Sequence, residues 1–516
     1  MKQIRLSVMI GVPVLAGLFS VAMGRDANWD FLNYRWYTPF SLLHGKLLKD
    51  VLISGHATFF NPLLELPFYL LATHVPAIVA GFAVAALDGA CFIPLFLMAE
   101  RTLLVTDPRY RTGAAFLIAL TGLLGGGALG QIGVISWDMP LGILEFSSIL
   151  VLLSDQQRSL SARPISVVRP LLLAGCLAGA AAGLKLTAAV YPLGIVTALL
   201  FVSKGSLPMR ALRCGLFSAG TIAGLLVCGG YWMVRLYLAF GNPLMPFFNG
   251  VFQSPWSVPG SNRDTTFVPQ SWDDILAFPF LFTANSRRVA EYYFRDSHMA
   301  LAYGLIPLAA ICLLLRREGS ALIAAPAFKF LSVAFLVSYG AWLYLFAIYR
   351  YALPLEMLAP LIVVGAIGCL PLPRKATMAL AAIVLLVSQA TIHAGFNRRE
   401  WTPEYVSATL PFSIPADALV LMPGSAPEGF IVTSLPPTVE AMRIGSALAV
   451  DNLYTGLMAS RIADHKGDIY VLYYTQNRQA SEEALATYNL AIDGPSCGDI
   501  QSNVADPMQI CRTVPK

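Results

Sequence analysis

Apolar residues recur in long, nearly charge-free runs along the first three-quarters of the chain, separated by short polar breaks. A helix that crosses a hydrocarbon core needs about 20 such residues. The runs predict roughly eleven spans, over residues 6–24, 76–99, 112–132, 139–154, 170–184, 187–203, 214–236, 299–315, 328–348, 351–370 and 376–395. The fourth, fifth and sixth are short. The first has a basic start but no convincing cleavage site at Val21 to Met23, and it reads as an uncleaved span. Past Asn397 the apolar runs shorten while Pro, Asp and Ser rise, which predicts a boundary between a membrane domain, 1–395, and a small α/β domain, 396–516. In the latter, Ala418 to Met422, Gly429 to Thr433 and Asp468 to Tyr474 read as strands, with helices near Val439 to Arg443 and Ala480 to Asn489.

Composition confirms the solvent. Of 516 residues, 56% are hydrophobic and only 13% charged, with a mean hydropathy of +0.64, which excludes an ordinary soluble chain. The net charge of +5 does not form a nucleic-acid surface, because the basic residues sit in clusters between apolar runs. With Lys2 and Arg5 cytoplasmic, the clusters Arg101/Arg109/Arg111, Arg158/Arg163/Arg169, Lys204/Arg210/Arg213, Arg316/Arg317/Lys329 and Arg374/Lys375 all fall inside. The expected setting is therefore a bacterial inner membrane. Loops over about 25–75 and 238–298, and the tail, face the periplasm. No Cys/His metal spacing occurs among the eight cysteines. Cys497 and Cys511 are alone in the tail, where an oxidising compartment favours a bridge.

Orientation makes several charges informative. Asp138 opens the fourth span, Lys185 lies between the fifth and sixth, Arg235 ends the seventh and Arg350 ends the ninth, so four helices place charge at the outer face. Snorkelling or helix capping explains any one of them alone; convergence favours an aqueous site. Asp88, inside the second span, is the one charge that fits a transport path, and it pairs more readily with a polar group of a neighbouring helix.

The first outer loop carries Asp26-Ala-Asn-Trp-Asp30-Phe-Leu-Asn-Tyr34-Arg-Trp-Tyr37. As a helix, Trp29, Leu32, Trp36, Phe40, Leu43 and Leu47 make an apolar stripe suited to the membrane surface, with Asp26 and Asp30 on the other face. Either carboxylate serves as an N-cap or as a general base on an acceptor hydroxyl. The motif Asp30-Phe-Leu-Asn-Tyr34, with Gly45 and Asp50 beyond it, resembles the first-loop motif of the GT-C superfamily of polyprenyl-phosphate-sugar transferases, which includes protein mannosyltransferases and lipid A aminoarabinose transferases. Ser136-Trp-Asp138-Met-Pro140 resembles that family's second acidic motif. Gly183-Leu-Lys185-Leu-Thr187 and Arg350-Tyr351-Ala-Leu-Pro354 resemble patterns in which a basic residue meets the lipid phosphate.

The resemblance implies a GT-C-like polytopic fold and transfer of a sugar from a polyprenyl-phosphate donor to a glycan, lipid or protein acceptor. Asp30 is then the catalytic base, Asp26 its reserve, and Asp138 a second catalytic carboxylate that orients the acceptor or assists the base. Tyr34, Lys185, Arg350 and Tyr351 fall on the substrate side of the same site. The family's adjacent acidic pair is absent, since Phe31 follows Asp30, and a divalent metal is left open. In the second loop, Arg288, Arg295 and His298 are candidates for the sugar-phosphate site, with structural salt bridges as the alternative. An O-antigen polymerase or ligase, and a transporter or flippase, are the competing readings.

Overall fold

The computed structural model describes residues 2–154, 164–260, 262–315, 319–450 and 452–516. Arg158, Arg163, Arg316 and Arg317 of the basic clusters lie outside the described residues. The chain is mostly helical, and each of the eleven apolar runs falls on a helix or a pair of helices. Among the described residues, six helices are long and apolar enough to cross a membrane: Gln3–Met23, Ala77–Thr102, Val167–Leu184, Leu207–Phe240, Ala325–Leu345 and Tyr349–Ile367. Leu186–Val202 and His298–Leu314 are shorter apolar helices. These are the helix lengths and hydropathy of a multi-pass membrane protein.

Two compact units divide the chain. One holds Met1–Ser20, Phe82–Gly230 and Asp264–Phe396; the other holds Val21–Gly81, Tyr231–Arg263 and Asn397–Lys516.

In the first unit the helix Leu353–Ile367 is buried at every position and packs against His298–Leu314, Pro108–Leu123, Ala325–Leu345 and Asp138–Ser154. Apart from Glu356 in its first turn this helix is apolar all round and has no wet face to present, so it becomes the centre of the bundle. Elsewhere small residues set the spacing. Gly175, Gly179 and Gly183 recur every fourth residue and meet the backbone of Leu207–Phe240 at Phe217, Thr221 and Leu225. Lipid gives helices no hydrophobic reason to associate, so close backbone approach through glycine takes its place.

The second unit is built on a sheet. Its strands are β1 (Arg25–Asp26), β2 (Arg398–Arg399), β3 (Ala408–Thr409), β4 (Leu419–Met422), β5 (Glu440–Arg443), β6 (Ile469–Tyr474), β7 (Leu490–Ile492), β8 (Gly498–Ser502) and β9 (Met508–Pro515). The main sheet runs β3-β8-β9-β6-β4-β5, with β7 on β9, and β4 lies parallel to both β5 and β6. Cys497 and Cys511 form the expected disulfide. The first outer loop adds to this sheet, since Val51 bridges Met442 in parallel beyond the β5 edge. Leu47, Val51 and Phe59 of that loop, and Trp232, Leu236 and Phe240, share one core with the tail residues Leu421, Met442 and Tyr454.

Three expectations are corrected. Val439 to Arg443 contains β5, not a helix, because pairing with β4 and Val51 overrides the helix propensity of Glu440, Ala441 and Met442. Gly429–Ser434 is a buried 3-10 turn rather than a strand. The aromatic stripe of the first loop does not form one membrane-surface helix. Phe31–Arg35 is a π-helical turn followed by the helix Tyr37–Leu43. Leu32, Trp36, Phe40 and Leu47 are buried inside the second unit, and only Trp29 and Leu43 of the stripe stay exposed. Trp36 packs 4.9 Å from the Tyr69 ring, so the stripe found a protein core in place of lipid.

Candidate active site

In the first unit the structure brings four of the sequence candidates together. Lys185 sits at an extended break between the helix Pro164–Leu184 and the 3-10 turn Leu186–Ala189. There its ammonium donates to Asp138 Oδ1 (2.5 Å) and to the Ser136 carbonyl (3.1 Å). Asp138 is the first residue of its helix, and Trp137 before it takes a left-handed φ of 64°, a conformation that bulky residues rarely adopt. The Lys185 ammonium lies 4.9 Å from the centre of the Tyr351 ring, and the Arg350 guanidinium 5.2 Å from it. Tyr191 fixes that turn by donating to the Tyr351 carbonyl (2.6 Å). Two cations thus share one aromatic ring, an arrangement that suits an anion.

Sequence reading passed over Glu145, which lies two turns along the helix from Asp138 on the same face. It is buried, and Asp138, Glu145, Tyr191 and Tyr351 line a cavity of about 10 Å³, room for about one water. Its signal was a carboxylate at i+7 from Asp138 inside an apolar run. Asp88 is satisfied locally, accepting from the Gly133 amide (2.7 Å).

The second-loop candidates separate. Arg288 makes an exposed pair with Asp274 (3.4 Å). Arg295 is exposed, and its backbone bridges His393. His298 is buried, with Nδ1 3.0 Å from Asp296 Oδ2. Burial opposes ionisation of Asp296, but the neighbouring His298 and amide donors more than offset it and hold its carboxyl below the usual range.

The second unit holds the first-loop carboxylates. Asn28, not either aspartate, caps the helix: its Oδ1 accepts from the Phe31 amide (2.8 Å). Asp26 is fully buried, and its two oxygens accept from the backbone and side chain of Asn28 (3.0 and 2.9 Å). Asp30 makes no capping bond and keeps 13% of its side chain exposed. It accepts from Arg35 (3.2 Å) and from the Tyr34 hydroxyl (3.4 Å). Arg35 is buried between Asp30 and Glu65 (3.0 Å). This triad escaped sequence reading because Glu65 lies 30 residues from Arg35. Arg235 donates to Tyr231 (3.0 Å) on an exposed helix face.

Asp50, also part of the first-loop motif, is structural. It accepts from Tyr37 (2.8 Å), Lys46 (3.2 Å) and the Ala441 amide (3.1 Å), which joins the loop to β5. Burial pushes its carboxyl above the usual range, although Lys46 and the hydrogen bonds oppose that rise.

No protein-family model and no curated protein matches the chain. Among solved structures, the chain is similar to the Archaeoglobus fulgidus oligosaccharyltransferase in its apo form, at 13% identity and a TM-score of 0.47, covering 94% of this chain and 71% of that one. It is also similar to ArnT from Cupriavidus metallidurans in the apo state, at 14% identity and a TM-score of 0.44, over 98% and 97% of the two chains. The same ArnT bound to undecaprenyl phosphate gives 13% identity and a TM-score of 0.41, again over 98% and 97%.

Proposed function

We infer that this protein is a glycosyltransferase that moves a sugar from a polyprenyl-phosphate donor to an acceptor hydroxyl, on a glycan, lipid or protein, at the periplasmic face of the inner membrane. The observation that carries the reading is the pairing of Lys185 and Arg350 around Tyr351, with Asp138 on the lysine. A phosphate that departs with the bonding electrons of the sugar carbon needs cations held in advance, and fixed dipoles and charges act most strongly where water is scarce.

In this scheme Asp30 takes the proton from the acceptor hydroxyl. The acceptor oxygen bonds to the sugar carbon as the carbon–oxygen bond to phosphate breaks, and polyprenyl phosphate leaves. The family resemblance implies inversion at that carbon. Arg35 and Tyr34 set the orientation of the Asp30 carboxylate, and its partial exposure leaves it reachable. Asp138 orients Lys185. The test is transfer by the purified protein from a panel of polyprenyl-phosphate sugars, with the corresponding nucleotide sugars in parallel. Transfer from a polyprenyl-phosphate sugar alone is expected; transfer from nucleotide sugars alone would overturn the donor assignment.

A further inference from the structure

Outside the Lys185 group, the first unit contains a second buried cluster that the proposed chemistry does not use. Asp296, His298 and Glu356 come from the entry to the helix His298–Leu314 and from the first turn of Leu353–Ile367. All three are buried, with 3%, 1% and 0% of their surface exposed. One ligand atom from each lies within 4.8 Å of the others.

The carboxylates are aimed by the backbone. Asp296 accepts from the Gly126 amide (2.9 Å) and from the His298 amide (2.8 Å), while Glu356 Oε1 accepts from the Gly127 and Ala128 amides (3.1 Å each). This approach needs glycine. A Cβ at Gly125 would stand 1.9 Å from Glu356 Oε1, and one at Gly127 would stand 2.5 Å from Oε2.

Several buried polar atoms of the cluster make no hydrogen bond. Glu356 Oε2 and both ring nitrogens of His298 have none of full geometry, and the Tyr349 hydroxyl is a neighbour of Glu356 at the edge of hydrogen-bond range. The close approach of His298 Nδ1 to Asp296 is likewise outside that geometry. Among the described residues no lysine or arginine pairs with either carboxylate. Two carboxyl groups and an imidazole are therefore buried together, and the His298 imidazole is the nearest group of opposite charge to Asp296. Buried polar groups ordinarily find partners, and buried charge ordinarily finds an opposite charge or a metal.

We propose that Asp296, His298 and Glu356 bind a divalent transition-metal ion. Metal–nitrogen and metal–oxygen bonds of about 2.0–2.2 Å in tetrahedral geometry set ligand atoms about 3.3–3.6 Å apart, so side-chain movements of up to about 1 Å complete the site. A donor set of one imidazole and two carboxylates, without thiolate, suits Zn²⁺ or Mn²⁺, and the imidazole disfavours Mg²⁺ and Ca²⁺. The Gly126–Ala128 amides hold the carboxylates from behind, as outer partners of metal ligands do. All three ligands are buried, so the role of the site is to tie the helix Gly126–Gln131 to the starts of two apolar helices. It stands independently of the sugar-transfer reading.

The experiment is elemental analysis of purified, tag-free protein from cells grown with added zinc and manganese. About one equivalent of Zn or Mn per chain is expected, falling about tenfold in Glu356→Gln and His298→Ala. Less than about a tenth of an equivalent in the wild type would overturn the site, as would variants that keep the full complement. Should the variants not fold, X-ray absorption of the wild type decides. A nitrogen/oxygen shell with one imidazole is expected, and a sulfur-containing or multi-histidine shell would place the metal elsewhere.

Discussion

Arg443 of β5 donates to the side chain of Asn33 (3.3 Å), a residue 410 positions earlier in the turn that follows Asp30. The same guanidinium donates to the carbonyls of Ile53 (2.5 Å), Gly424 (2.6 Å) and Ala426 (2.8 Å), and Ser54 Oγ donates to the Asn33 carbonyl (2.6 Å). The tail thus fixes the segment that carries Asp30. Arg443→Met is expected to strand four acceptors, those of Ile53 and Asn33 in buried hydrogen bonds, and to destabilise the second unit by roughly 3 kcal/mol. Limited proteolysis of the tail, compared with the wild type, reads this out.

Glu428 lies beside Arg443 at 3.9 Å, with neither carboxyl oxygen in hydrogen-bond geometry. Burial pushes its carboxyl up to about 7 from the ordinary 4.5, against the pull of Arg443. Between those values the unfolded chain has released a proton that the folded chain keeps. The stabilising contribution is full below about pH 4.5 and is lost as pH rises through about 7, on the order of 3 kcal/mol in all. Glu428→Gln is expected to flatten this part of the stability profile, measured by denaturant unfolding across that range.

Lys185→Met removes the ammonium from Asp138 and from the Tyr351 ring. Loss of one fixed charge at a leaving phosphate is expected to lower turnover roughly 10²- to 10³-fold. Asp138→Asn is expected to fall less, since the lysine remains. Steady-state transfer rates for the two variants and their double check this: if the losses multiplied fully, the two residues would be acting independently and the pair would be misassigned.

Gly179→Val places a side chain where a Cβ alone would be 1.9 Å from the Thr221 carbonyl. Backbone on a packed helix cannot yield as a flexible side chain can, so a loss of at least about 2 kcal/mol is expected. Gly113, which has open space around it, is the control site. Thermal unfolding in detergent should separate Gly179→Val from Gly113→Val.

Much of the membrane part was legible, because hydropathy over about 20 residues reports directly on the solvent. Asp138, Lys185 and Arg350 stood out for the same reason: charge at a span end is conspicuous against an apolar background, and Tyr351 followed from the motif that begins at Arg350. Aromatic periodicity around Asp30 was misleading, because a stripe that fits lipid fits a protein core equally well, and Trp36 and Phe40 found one. β5 was hidden by helix-forming residues whose strand partners lie elsewhere in the chain. Arg35 with Glu65, and Asp296 with Glu356, depend on contacts across 30 and 60 residues, which no local pattern encodes.

The most direct measurement is single-turnover transfer of a sugar from a polyprenyl-phosphate donor by the wild type and by Asp30→Asn, with folding checked by matched thermal unfolding. The account expects the wild type to transfer and the variant to slow by roughly 10²- to 10⁴-fold, the range for loss of a general base. Equal rates in the two proteins would contradict it.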